Sequence, residues 1–316
     1  MTPAIRLAAG SGPTFGVDDL ACAAATHLGC WSDQGLDVTW TPVRGGVAAI
    51  QAVLDGSVDV SYGGLGPVLK ARAEGKPVRV LVSMARALAQ NLVAQKHIIE
   101  PAQIAGASWA IDGVGALSHH MARLIVRALG IPDAAVDWQV AGPPPERIAR
   151  LLAGTIDVSL LRVEEALALS LDPGNGLHTL LGFSELQTLV PLQPHGVLAA
   201  RQDYIDAHPD TMRRLAHGMI VASRRLHDDF ASFRKVYDHY VTVSVSPDDV
   251  QRIWQQERAS GGFARDGEVT RAHWDGQIRS YAELNPELAA ITYDDVVDPR
   301  FVAQALEEVG RRGERS

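Results

Sequence analysis

Ile50-Gln-Ala-Val-Leu-Asp-Gly-Ser-Val-Asp-Val-Ser61 aligns without a gap against Ile148-Ala-Arg-Leu-Leu-Ala-Gly-Thr-Ile-Asp-Val-Ser159, and half of the aligned positions are identical. The shared residues are Ile50/Ile148, Leu54/Leu152, Gly56/Gly154, Asp59/Asp157, Val60/Val158 and Ser61/Ser159. Each copy reads as a helix end, a glycine able to turn through the left-handed region, and a short buried strand closing on a small polar side chain. Helix-to-strand connections in general favour this grammar, so the match alone also fits convergence. The order of elements around it favours two similar α/β lobes.

Upstream and downstream of the first copy, β-rich runs at 5–9, 36–40, 58–61 and 78–84 alternate with helical patterns at 18–28, 46–55 and 66–74. Around the second copy the same succession returns, with strands at 109–111, 136–140, 156–160 and 179–181 and helices at 116–129, 144–153 and 163–170. Strands alternating with helices predict parallel sheets flanked by helices. From Arg201 the pattern becomes helical: Met212, Leu215, Met219, Ile220 and Leu226 recur on one face, Ser246-Pro247 starts another helix, and Asp298-Pro299 starts a last one. This helical extension carries no catalytic signature.

The composition narrows the function. With 316 residues the chain can form two lobes, and 29 basic against 37 acidic residues leave a net charge of −8, which disfavours nucleic acid and anionic membrane surfaces as partners. No apolar run approaches the ~18–20 residues needed to span a bilayer. Cys22 and Cys30 fall in one predicted helix, where eight residues of rise (~12 Å) keep them too far apart for a disulfide. Zinc spacing, HExxH, GxxxxGK[ST] and GxGxxG are all missing, so neither a metal nor a nucleotide or other cofactor is expected. Met1-Thr2-Pro3 runs directly into Ile5–Ala9 with no apolar leader, which reads as cytoplasmic as written and as periplasmic if the sequence is a mature form.

Several separated motifs resemble the periplasmic-binding-protein type II fold, in the branch that contains nitrate, aliphatic-sulfonate, taurine and thiamine-precursor binding proteins. They are Gly35-Leu-Asp-Val38, the first copy with Gly63-Gly64 and Gly75-Lys-Pro-Val78, the second copy, Asp203-Tyr-Ile-Asp-Ala-His-Pro-Asp210 and Val297-Asp-Pro-Arg-Phe301. The resemblance spans almost the whole chain. It implies two lobes, each a mixed, mostly parallel sheet flanked by helices, with lobe one at 1–87 plus 197–316 and lobe two at 88–196. A hinge would cross near 85–91 and 193–197, and a small ligand would be trapped between the lobes and delivered to an ABC-type permease. The same fold also hosts cytosolic enzymes, including an aromatic desulfinase and pyrimidine-forming and decarboxylating relatives.

Ligands of open α/β sheets sit beyond the carboxyl ends of the strands, where helix N-termini present backbone N–H groups. The candidate ligand-binding residues therefore lie in five loops: Ser11 and Thr14; Arg44, Gly45 and Gly46; Tyr62, Gly63 and Gly64; Gly115, Ser118 and His119; and Arg162 with Glu164. Arg86 and His195 join them from the crossing segments. Arg44 or Arg162 would oppose the charge of an anionic organic or heteroaromatic ligand, and Tyr62 would pack on its body. Of the adjacent pair His119-His120, the reading puts His119 toward the ligand and His120 on the flank, and takes Glu164-Glu165 as a solvated pair capping a helix. The alternative function is a decarboxylase, desulfinase or hydrolase of an aromatic or heterocyclic acid, with His119 or His195 as acid/base. A cysteine-dependent version lacks its nucleophile, because neither cysteine lies on a strand-end loop.

Overall fold

The computed structural model describes residues 3–10, 15–85, 89–190 and 195–313, excepting the side chains at positions 195, 273, 276 and 277. In chain order the elements are β1 (Ala4–Ala9), α1 (Leu20–His27), β2 (Asp37–Pro42), α2 (Gly45–Leu54), β3 (Val60–Gly63), α3 (Gly66–Ala73), β4 (Val78–Ala85), β5 (Gln90–Gln95), β6 (Ser108–Ile111), α4 (Leu117–Ala128), β7 (Asp137–Val140), α5 (Pro144–Leu152), β8 (Val158–Arg162), α6 (Val163–Ser170), β9 (Leu177–Leu181), α7 (Phe183–Leu189) and β10 (His195–Arg201). Helices follow as α8 (Gln202–Ala207), α9 (Pro209–Asp228), α10 (Phe230–Tyr240), α11 (Pro247–Ser260), α12 (Arg271–Leu284), α13 (Tyr293–Val296) and α14 (Arg300–Val309).

They form two compact units. One comprises Met1–Leu88, Gln193–Thr242 and Asp248–Ser316; the other comprises Ala89–Leu192 and Val243–Pro247. Each holds a five-stranded sheet, in the orders β2-β1-β3-β10-β4 and β7-β6-β8-β5-β9. The orders are the same arrangement. The first three strands of each sheet are parallel, and the fourth, β10 or β5, runs antiparallel to both of its neighbours. Even the irregularities correspond. The register slips between Leu198 and Ala199 in β10 and between Leu92 and Val93 in β5, and Ala199 and Val93 pair with the equivalent serines Ser61 and Ser159.

The aligned repeat explains why both halves fold this way. Gly56 and Gly154 adopt φ +79° and +65°, the left-handed conformation that ends α2 and α5. The paired aspartates then fasten the strand that follows to the one beside it. Asp59 Oδ2 accepts the Arg6 backbone N–H at 2.8 Å, and Asp157 Oδ2 accepts the Ser108 backbone N–H, also at 2.8 Å. An acidic residue at that point fixes register, because a one-residue slip would lose the charge-assisted bond and turn the buried strand inside out. Behind the sheets, Val68, Leu69, Val80 and Val197 belong to the core of the first unit, and Val93, Ala110, Leu151 and Leu161 to that of the second.

One expectation about the elements needs correction. Cys30 lies beyond α1, past a turn at Gly29 with φ +74°, so the two cysteines do not share a helix. Around the expected hinge crossings, β4 runs to Ala85, β5 starts at Gln90 and β10 at His195, while 86–88 and 191–194 lie outside the described residues. The sheets owe their mixed character to those two strands, whose polar ends hide the strand pattern. Among the described residues no helix is long and apolar enough to cross a membrane.

Candidate functional site

In the first unit the carboxyl ends of β1, β2 and β3 bring backbone together. Gly10 N–H donates to Tyr62 O at 3.0 Å, and Gly45 N–H donates to Gly10 O at 2.9 Å. A Cβ on Gly10 would stand 3.0 Å from the Gly46 Cα, so the loops after β1 and β2 touch through main chain and admit no side chain there. Gly63 has nothing within 4 Å of where its Cβ would be, leaving its backbone open. Arg44, the residue before α2, is exposed. Ser11, Thr14 and Arg86 lie outside the described residues; His195 pairs with Ala85 through its backbone, and its side chain is not described.

Tyr62 does not offer a stacking face. It is 1% exposed, its hydroxyl donates to Asp18 O at 3.1 Å, and a Cβ on Gly196 would come within 2.3 Å of that hydroxyl. Burial pushes its phenol well above the usual range, so it stays a neutral donor. Tyr62 thus braces the rim from below, and only glycine fits opposite it at φ +61°.

The second unit has a chemically richer rim. Asp112, next after β6, donates its N–H to Ser118 Oγ at 2.9 Å and so ties the loop to the first turn of α4. Gly115, at φ +79°, donates its N–H to His119 Nδ1 at 3.1 Å, and the His119 ring lies edge-on to Trp138 with centroids 5.3 Å apart. An Nδ1 that accepts leaves the proton of the neutral ring on Nε2. Burial first, and Arg123 second, lower the pKa of His119, so at neutral pH it is an uncharged N–H donor. His120 is not on a flank: it is 5% exposed on the buried stripe that also holds Leu124, and burial lowers its pKa to about 3. The amphipathic phase of α4 sets this outcome, placing His119 with Arg123 and His120 with Leu124, each four residues apart.

Arg162 ends β8 and caps α6. Its backbone N–H reaches Glu165 Oε2 at 2.9 Å and its guanidinium stands 3.6 Å from Glu165 Oε1. Glu164 and Glu165, expected to be solvated, are 0% and 5% exposed. Arg147, which the sequence reading passed over, is 4% exposed in α5 and donates to Leu160 O and to Ser159 Oγ. Burial pulls its pKa down, and the nearby charges of Glu165 and Asp112 act the other way. One signal could have found it: one residue before the repeat, Arg147 stands where the first unit has Ala49, itself 1% exposed. Val114 and Val140, 75% and 55% exposed, add apolar surface after β6 and at the end of β7.

The rim therefore supplies neutral and backbone donors, two arginines already engaged, Arg162 by Glu165 and Arg147 by Leu160 O and Ser159 Oγ, and apolar edges. It supplies no thiol. Cys22 and Cys30 are buried, and burial raises both thiols above their ordinary value, which makes them packing groups. Among the described residues no cluster of three or more histidine, cysteine or acidic side chains could hold a metal ion.

A family model described as NMT1/THI5 like matches residues 20–220. No curated protein sequence matches the chain. Among solved structures, a protein from Bordetella bronchiseptica RB50 superposes with a TM-score of 0.79 at 18% identity, over 98% of both chains. The ligand binding component of an ABC-type import system from Staphylococcus aureus, with zinc bound, gives 0.75 at 13% identity over 96% of this chain and 99% of that one. The alkanesulfonate-binding protein SsuA from Xanthomonas axonopodis pv. citri, bound to MOPS, gives 0.72 at 16% identity over 96% and 97%. At these identities the likeness is one of fold.

Proposed function

Because this chain belongs to the NMT1/THI5 like family and has the periplasmic-binding-protein type II fold, we propose that it is the substrate-binding component of an ABC-type importer. In this reading the chain binds a small organic solute at its strand-end rims, and a permease takes it onward. The first rim contributes close backbone approach at Gly45, Gly46, Gly63 and Gly64; the second contributes Ser118, His119 and Arg162.

The chemistry of the second rim favours a heteroaromatic solute over a strong acid. Arg147 lies near the charges of Glu165 and Asp112, and Arg162 stands beside Glu165, so both guanidinium groups already have acidic neighbours. Arg162 is held beside Glu165 rather than presented alone. A sulfonate would have to compete with that carboxylate, whereas a ring nitrogen or carbonyl can accept from a neutral imidazole without displacing anything. The observation that carries the reading is the Gly115 N–H to His119 Nδ1 bond, which fixes His119 as an Nε2–H donor at the rim. Val114 and Val140 suit the flat apolar body of such a ligand.

A thermal-shift screen of the full chain against aminopyrimidines, pyridine carboxamides, aromatic acids and alkanesulfonates tests this. A heteroaromatic at 100 times its Kd should add about 2.7 kcal/mol of stability, with sulfonates giving little. If only sulfonates stabilise the protein the ligand class is wrong, and if nothing does the solute-binding reading fails. Conversion of the stabilising compound to a new product would establish the enzyme alternative instead.

A further inference from the structure

The main-chain loops of the first rim rest on one another and, at the bottom, on the helical extension. A Cβ on Gly10 would stand 3.0 Å from the Gly46 Cα, and a Cβ on Gly46 would stand 3.1 Å from Pro67 Cγ in the first turn of α3. A Cβ on Gly66, which opens α3, would meet Tyr281 of α12, 3.3 Å from its Cε1 and 3.4 Å from its hydroxyl. Three glycines thus let a column form: Gly10 on Gly46, Gly46 on Pro67, and Gly66 on the Tyr281 ring. Tyr281 is 3% exposed, in the core that also holds Leu65, Val68, Leu69 and Trp274. Burial pushes its phenol above the ordinary range, and a hydrogen bond from the Gly66 backbone acts the other way. As the first residue of a helix, Gly66 has no acceptor for its N–H within that helix, and the neutral phenol oxygen supplies one. Asn285 fixes the other end of the residue, its N–H and Nδ2–H both donating to Tyr281 O at 2.8 and 3.0 Å.

We propose that Tyr281 is a positioning residue for the first rim: it sets the height of Gly66-Pro67 and, through Pro67 and Gly46, the approach of the loops that leave β1, β2 and β3. A helix without any catalytic signature then governs how closely the main chain of that rim can approach a solute. The inference rests on the reading of the first rim as a solute-binding surface. The second unit is built differently. It takes only Val243–Pro247 from the helical extension, and its loop after β6 is tied locally, by Asp112 N–H to Ser118 Oγ.

The test uses the full chain without solute, isotopically labelled at glycine nitrogen, so that the amides of Gly10, Gly46 and Gly66 report one by one in magnetic resonance spectra and Gly115 and Gly154 of the second unit serve as internal controls. Tyr281→Phe keeps the ring but takes the acceptor from Gly66 N–H; exchange of that amide should rise about tenfold, and the Gly10 resonance, two contacts away, should be displaced with it. Pro67→Ala breaks the column in its middle and should displace Gly46 and Gly10 while Gly66 keeps its protection. Tyr293→Phe removes a hydroxyl from the same core, one that donates to Val269 O, and should leave all three amides as in the wild type. A Gly10 resonance that stays in place in both Tyr281→Phe and Pro67→Ala overturns the proposal, as does a Tyr293→Phe spectrum that moves as much as that of Tyr281→Phe. With no solute present the two readings fail separately: a compound screen without hits removes the solute and leaves the column standing, whereas a broken column leaves the outcome of the screen unchanged.

Discussion

The repeat copies at 50–61 and 148–159 share a strand order, a left-handed glycine, an aspartate clamp and even a bulge, yet the rims above them differ in kind. Just outside the copies, where the first unit has Ala49, Gly64 and Gly10, the second has Arg147, Arg162 and Asp112. Among the described residues, one scaffold therefore presents close main chain with Arg44 on one unit and several titratable side chains on the other. The shared part is what folding requires; the unshared part is where recognition can be built.

Exchanging the unshared residues should break the comparison most severely. Ala49→Arg would force a guanidinium into a packed core, and should cost more than about 4 kcal/mol, seen as loss of a cooperative urea transition. Arg147→Ala should cost about 3 kcal/mol, because it takes a guanidinium donor from Leu160 O and removes a buried positive charge beside Glu165 and Asp112. Equal effects at the two positions would mean that the copies are less alike than their backbones.

Acid should separate the units next. His120 has a folded pKa of about 3 against an ordinary 6.5, so the unfolded chain takes its proton first and stability drops as the pH falls through 6.5 toward 3. By pH 5 the loss should be about 2 kcal/mol, measured by urea unfolding at pH 7.5 and 5. His120→Phe should flatten that difference; a variant as acid-sensitive as the wild type would deny His120 the role.

The smallest effect sharpens the part that is shared. Gly56→Ala and Gly154→Ala should each cost about 1–2 kcal/mol, because both residues hold positive φ. Gly56→Ala should cost slightly more: its Cβ would lie 3.2 Å from the Arg201 guanidinium, whereas nothing crowds Gly154. Tolerance at only one of the two would show that the helix ends are not under the same constraint.

Much of the scaffold was legible because periodicity and punctuation report it directly. Gly56, Gly154, Asp59 and Asp157 could be read from the repeat, and helix α6 runs over the predicted 163–170. β5 and β10 were not legible, since their polar ends and central positions resemble connectors until pairing partners are known. The site was less legible still. Tyr62 was read as a ligand contact from its place at a strand end, but the space left by Gly196 draws its ring under the rim. Glu164 and Glu165 look solvated in any linear reading, and their burial follows only from the packing of α6 on the sheet. His120 was misplaced because two adjacent helical residues differ by ~100°, and choosing between them needs the helix phase.

Calorimetric titration of the best compound from the heteroaromatic screen into wild type, His119→Phe and Arg44→Ala tests the central claim most directly. If the second rim carries the polar recognition, His119→Phe, which keeps an aromatic ring against Trp138 but loses the donor, should weaken binding about 10- to 100-fold, with Arg44→Ala within about twofold of wild type. Undiminished binding by His119→Phe together with collapse in Arg44→Ala would contradict it.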